Sequence, residues 1–182
     1  GGGGGGDPLV FAIGGYTDAL EPSRHVEYFS WGNASWDDFS PMLEARAMHS
    51  FAVSEHRIFV AGGTNGSNAL NSVEYVDPRE GRWRSFCSMS FARCGASMAY
   101  LNNKLMVTGG RAMMDPMQLS EFHSNERAKA KLDISYRLSR AKEWLDSAEV
   151  FDERMQKWDQ VLLPYNSQQD PFHRFSAGYC VL

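Results

Sequence analysis

Three short apolar runs, each stopped by a pair of glycines, recur along the chain. They are VFAIGG ending at Gly15, IFVAGG ending at Gly63 and LMVTGG ending at Gly110. Apolar runs this short, partly β-branched and followed at once by glycine, predict buried strands and are too brief for helices. The Gly-Gly pairs lie 48 and 47 residues apart. After each comes a glutamate beside an apolar residue and close to an aromatic: HVEYF with Glu27, SVEYVDP with Glu74 and SAEVFDE with Glu149. Nine residues beyond each glutamate stands a tryptophan, namely Trp36, Trp83 and Trp158. Ten residues after the first two tryptophans comes an arginine, Arg46 or Arg93, whereas the third copy reaches Arg174 after sixteen. A constant period of this size marks a repeat architecture, in which each unit buries its apolar face only against its neighbours.

Each period holds four strand-like runs separated by turn residues, which predicts one four-stranded antiparallel sheet per repeat. In the second copy they are HSFAVS, RIFVAGG, NSVEYVDP and RWRSFCSM. Asp77-Pro78 with Gly81 supplies the turn between the last two, since Pro presets φ and Gly tolerates positive φ. The third copy differs. Gly110 precedes Glu149 by 39 residues, against 12 and 11 in the others, so about 28 residues are inserted between adjacent strands. Within the insertion, Leu119 to Asp146 reads as an amphipathic helix, with Ile134, Leu138, Ala141 and Leu145 on one side and Asp133 to Arg137 as an i, i+4 pair. Met113, Met114 and Met117 at its entrance offer adaptable apolar contacts.

The Gly pair after an apolar strand, the aromatic near a glutamate and the later tryptophan, at this period, together resemble the kelch repeat over about residues 9 to 181. The resemblance implies an all-β fold, a kelch-type β-propeller with about three four-stranded blades and a helical insertion in the third repeat. The expected organisation is a Gly-rich linker or boundary segment over 1–8 and a partial propeller over 9–182. Its repeats fall at about 9–56, 57–103 and 104–182, with the insertion at about 112–146. In the family the Gly pair lets the second strand pack tightly, and the aromatic and the tryptophan fill the space between blades. Tyr28, Tyr75 and Phe151 with Trp36, Trp83 and Trp158 are therefore the predicted core. The chain enters at a second strand and leaves after a first strand that starts at Phe175, and propellers close with more than three blades. The expectation is a part of a longer propeller; a ring closed by two copies is the alternative.

Composition narrows the function. In 182 residues, 43% are hydrophobic, the formal net charge is -4 and no block of basic residues occurs, which argues against a phosphate-tracking nucleic-acid binder. No apolar run approaches the roughly 18 residues needed to span a bilayer, so no membrane partner is expected. Cys87, Cys94 and Cys180 cannot all pair within one chain and have no C-x-x-C spacing, which favours a reducing, cytoplasmic location over a disulfide framework or a zinc site. No catalytic motif stands out, and His25, His49, His56, His123 and His173 lack metal-ligand spacing, so neither a cofactor nor a catalytic residue is expected. His49 opens the first strand of its repeat and reads as a packed residue. Cys94 lies beside Arg93, whose charge would lower a thiol pKa, although small apolar filler is the simpler role.

Candidate partner-binding residues lie in loops at the Gly-pair end of the strands. Tyr16, Thr64 and Arg111 follow the three Gly pairs, Asn65 lies next to Thr64, and Arg46, Arg93 and Arg174 end the loops after the last strands. The arginines suit carboxylate or phosphate through bidentate hydrogen bonds, yet an arginine recurring once per blade is better explained by a structural bond to a neighbouring carboxylate or carbonyl. Tyr16 and Arg111 vary between copies, as residues that set specificity would. By resemblance, loops of this kind hold a short partner peptide, and many family members recruit substrates for cullin-based ubiquitin ligases through an additional N-terminal domain. Others bind actin or cytoskeletal partners. The enzymatic alternative is a copper radical oxidase or a sugar-modifying enzyme. A secreted, receptor-like parent would also account for the triplets Asn33-Ala34-Ser35 and Asn65-Gly66-Ser67.

Overall fold

A computed structural model describes residues 9–54, 56–112 and 147–162. Eleven strands form three antiparallel sheets, and no helix occurs among the described residues. The first sheet comprises β1 (Leu9–Ile13), β2 (Val26–Ser30) and β3 (Ser35–Phe39). The second comprises β4 (Ser50–Val53), β5 (Ile58–Ala61), β6 (Val73–Asp77) and β7 (Arg82–Phe86). The third comprises β8 (Ser97–Leu101), β9 (Lys104–Thr108), β10 (Ser147–Asp152) and β11 (Lys157–Leu162). Strands within each sheet are paired in sequence order, so each sheet is a meander and constitutes one blade. The expected helix over the third repeat and the final strand from Phe175 lie outside the described residues.

Strand periodicity sorts each blade's side chains onto two faces. Ile58, Val60, Val76 and Trp83 turn toward the first blade, where they meet Val26 and Met42, with Phe11, Ile13 and Phe39 packed around them. On the other face Phe59, Ala61 and Val73 meet Leu105, Val107, Phe151 and Trp158 of the third blade. Strand β5 is buried along its whole length because both of its faces are covered. This two-sided burial explains why the run before Gly62 is continuously apolar.

The tryptophans close each interface with one hydrogen bond besides their apolar area. Trp83 Nε1 donates to Ser40 O at 2.8 Å and Trp158 Nε1 donates to Cys87 O at 2.8 Å. The acceptor in both cases lies in the loop that leaves the preceding blade. Trp83 and Trp158 are 3% and 5% exposed, as predicted, but Trp36 is 51% exposed. Trp36 holds the same register, paired with Phe29 as Trp83 is with Val76, and its face has no preceding blade against it among the described residues.

Phe151 is buried, as expected of a core residue, but it does not occupy the position of Tyr75 and Tyr28. It pairs with Trp158, so its counterparts are Val76 and Phe29, not Tyr75 and Tyr28. Tyr75 points to the opposite face, stacked on Phe59 at 5.6 Å and edge-on to Phe86 at 5.9 Å. Phe86 in turn lies 4.6 Å from Phe151, so the two aromatic positions approach one interface from opposite sides.

Candidate functional site: the Gly-pair end of the blades

The Gly pairs are where the loop leaving each blade crosses to the next. Gly62 and Gly63 have φ of +64° and +91°, and a Cβ on Gly62 would collide with the carbonyl of Arg93. One on Gly63 would lie 2.5 Å from the carbonyl of Ala47, and one on Gly14 would lie 2.6 Å from that of Arg46. Only glycine supplies both the left-handed conformation and the room. The close approach is then fixed by backbone bonds: Gly15 N donates to Arg46 O at 3.0 Å and Gly63 N donates to Arg93 O at 2.9 Å.

Arg46 and Arg93 are fully buried and act as two-sided staples. While the backbone of Arg46 is held by the first blade, its side chain reaches the second. Its Nη1 donates to Gly62 O at 2.8 Å and to Ser72 O at 3.2 Å, and its Nη2 donates to Glu74 Oε1 at 2.6 Å. Arg93 repeats this one blade later, with Nη1 donating to Gly109 O at 2.7 Å and Ser147 O at 3.2 Å, and Nη2 to Glu149 Oε1 at 2.8 Å. The glutamates complete the joint. Glu74 accepts from Leu43 N at 2.7 Å and Glu44 N at 3.1 Å, and Glu149 accepts from Ser90 N at 2.6 Å and Phe91 N at 3.2 Å. A buried ion pair is tolerable because both terminal nitrogens of each arginine and both oxygens of each glutamate find partners, which leaves only the Nε of Arg46 and of Arg93 buried without one.

Sequence reasoning left the glutamates without a role and missed Met42 and Met89, which are buried in the same loops. The signal that finds them is a spacing common to both loops. Four residues before each arginine stands a methionine, and six before it stands the carbonyl that accepts the tryptophan N–H.

The candidate residues therefore separate by depth. Thr64 is fully buried, exchanging backbone bonds with Ala47 at 2.8 and 3.0 Å, while its Oγ1 accepts from Gly66 N at 3.0 Å. Arg111 is buried and exchanges backbone bonds with Cys94, both at 2.9 Å. Tyr16 is half-buried and bridges to Pro22, and burial raises its phenol pKa. Asn65 is exposed at the loop tip, its Oδ1 accepting from Ser67 N at 3.1 Å and Asn68 N at 2.9 Å. Arg174 lies outside the described residues. Burial raises the thiol pKa of Cys94, and the neighbouring Arg93 guanidinium is spent on Glu149, so this thiol is not activated. His49 lies under the same loops, with its pKa lowered to about 4 by burial and by the Arg46 charge.

Chemically, this end offers a rigid hydrogen-bonded frame carrying exposed tips. The tips include Asp18, Leu20 and Glu21 in the first blade, Asn65 to Asn68 in the second, and Leu43 and Phe91 in the crossing loops. At the opposite end, a cleft of about 690 Å³ between the second and third blades is lined by Phe59, Phe86, Tyr100 and Phe151, with Arg57, Arg79 and Glu153 at its rim.

Residues 45–90 match the family model described as Kelch motif. The chain is also similar to the solved structure of YjhT, with a TM-score of 0.59 at 16% identity, covering 85% of this chain and 47% of that one. It thus spans about half the length of YjhT, and at this identity the likeness is one of fold. No curated protein matches the chain.

Proposed function

We propose that this chain, which matches a Kelch motif over residues 45–90 and folds as consecutive propeller blades, is a protein-interaction module whose Gly-pair loops hold a short peptide of a partner. One observation carries this reading. Glu74 with Arg46 and Glu149 with Arg93 are consumed in joining the second and third blades to what precedes them, whereas the exposed tips, Asp18, Leu20 and Glu21 in the first blade and Asn65 to Asn68 in the second, differ between periods. A rigid scaffold with variable loops is suited to recognition, and the described end gathers no reactive constellation of the kind acyl or phosphoryl transfer needs. We read the chain as non-enzymatic and cytoplasmic, the latter on its cysteine usage.

The finer reading is that the module recruits substrates to a cullin-based ubiquitin ligase, with actin or another cytoskeletal partner as the competing one. A photo-crosslinking residue at position 65 in cells tests the site. The expected result is one predominant crosslinked protein, lost when Leu20→Ala and Asp18→Ala are introduced together; crosslinking that ignores those changes would overturn the loop assignment. Co-purification of a cullin with the endogenous protein would favour the ligase reading, and co-sedimentation with filamentous actin the other.

A further inference from the structure

The cleft at the end opposite the Gly pairs lies between two four-stranded blades, and its walls come from the second and third sheets alone. Its volume of about 690 Å³ falls within the range of small-ligand sites. The floor is aromatic. Phe59 and Phe151 are buried, and Phe86, partly buried, lies edge-on to Phe59 at 5.4 Å and tilted to Phe151 at 4.6 Å. Tyr100, near the end of β8, packs partly buried against the same cluster.

The walls carry two charges that the fold does not use. Arg79 is closed on Asp77, its Nε donating at 2.9 Å and its Nη2 at 2.6 Å, so that pair brings no net charge. Arg57, on the wall of the second blade, sits over the Tyr75 ring 5.1 Å from its centroid and pairs with no carboxylate among the described residues. Stacking occupies the face of a guanidinium and leaves its in-plane N–H donors for a carboxylate. Glu153, in the turn after β10 on the wall of the third blade, is exposed and pairs with no cation among the described residues. Neither charge belongs to the repeat. Counted from the Gly pairs, Leu9 and Lys104 hold the place of Arg57; counted from the repeated glutamates, Trp31 and Pro78 hold that of Glu153.

From an aromatic floor between one cationic and one anionic wall, we infer that this cleft binds a small aromatic zwitterion. Its ring lies against Phe86 and Tyr100, its carboxylate meets Arg57 and its ammonium meets Glu153. A ligand with one charge only would leave the charge of the other wall covered and unpaired, which costs binding energy. An aliphatic zwitterion would satisfy both walls and forgo the edge-on and offset ring contacts that the floor offers. The site stands at the other end of the blades from the Gly-pair loops and does not depend on their holding a peptide.

The test is an NMR titration of the full chain with four probes: phenylalanine, 3-phenylpropionate, 2-phenylethylamine and glycine. The ring resonances of Phe86 and Tyr100 are the readout. Phenylalanine should shift them saturably at millimolar concentration, and each of the other three should bind at least about tenfold more weakly. Arg57→Ala should weaken phenylalanine about tenfold and leave 2-phenylethylamine unchanged, whereas Glu153→Gln should weaken phenylalanine and tighten 3-phenylpropionate. Both side chains are exposed, so neither change should move the urea midpoint; if one does, the four probes on the unchanged chain decide. Three results would overturn the inference: no saturable shift with phenylalanine, a single-charge probe or glycine binding as tightly as phenylalanine, or phenylalanine binding that is indifferent to Arg57→Ala.

Discussion

The first and second blades carry the same glutamate, the same tryptophan nine residues later and the same strand register, yet Glu74 and Trp83 are buried where Glu27 is half-buried and Trp36 exposed. The difference does not lie in the blades. It lies in the loop that arrives from the blade before, which brings a carbonyl, a methionine, two amides and an arginine to the second and third blades. A repeat in this chain is thus half of a joint, and its recurring residues acquire their environment from the neighbouring repeat, as expected of a quasi-one-dimensional array.

Removing the staple should have the largest effect. Arg93→Ala leaves Glu149 buried without its cationic partner and is expected to cost about 3 to 5 kcal/mol in urea unfolding, whereas Glu27→Gln on the open face is expected to change stability by less than about 0.5 kcal/mol. Equal losses would break the contrast. Trp83→Ala should likewise cost about 3 to 5 kcal/mol through its cavity, against less than about 1 kcal/mol for Trp36→Ala.

His49 sharpens the comparison by pH. Its folded pKa of about 4 lies below the unfolded value, so the unfolded chain takes up a proton first as the pH falls from 6.5 toward 4. Stability contributed by the neutral imidazole is complete above pH 6.5 and is lost across that window. The loss between pH 7.5 and 5 should be about 2 kcal/mol, and His49→Asn should flatten it; an unchanged pH profile in the variant would remove His49 from the joint. Gly62→Ala, which places a Cβ against the Arg93 carbonyl at positive φ, should cost about 1 to 3 kcal/mol in the same unfolding assay.

Much of the architecture was legible because it rests on spacing. The Gly pairs, the glutamates and the tryptophans predicted the strands in the right order, four in the second and third sheets and three described in the first, and a turn at Asp77 to Gly81 that the structure reproduces. Two expectations failed for physical reasons. An aromatic near the glutamate is an ambiguous description in a strand, where a shift of one residue changes the face, so Tyr75 and Phe151 were equated although they line the interface from opposite blades. Burial of Trp36 was inferred from its position within the repeat, but burial is a property of what lies opposite. The arginines recur, and the structure spends Arg46 and Arg93 on the joints; Arg174 and the inserted segment fall outside the described residues.

Hydrogen exchange of the three indole N–H groups tests the central claim most directly. Trp83 and Trp158 are buried and donate to loop carbonyls, so their indole protons should exchange only through opening of a blade joint, at rates at least about 100-fold slower than that of Trp36. Three similar rates would contradict the account, since they would mean that the arriving loop is not what distinguishes a closed joint from an open one.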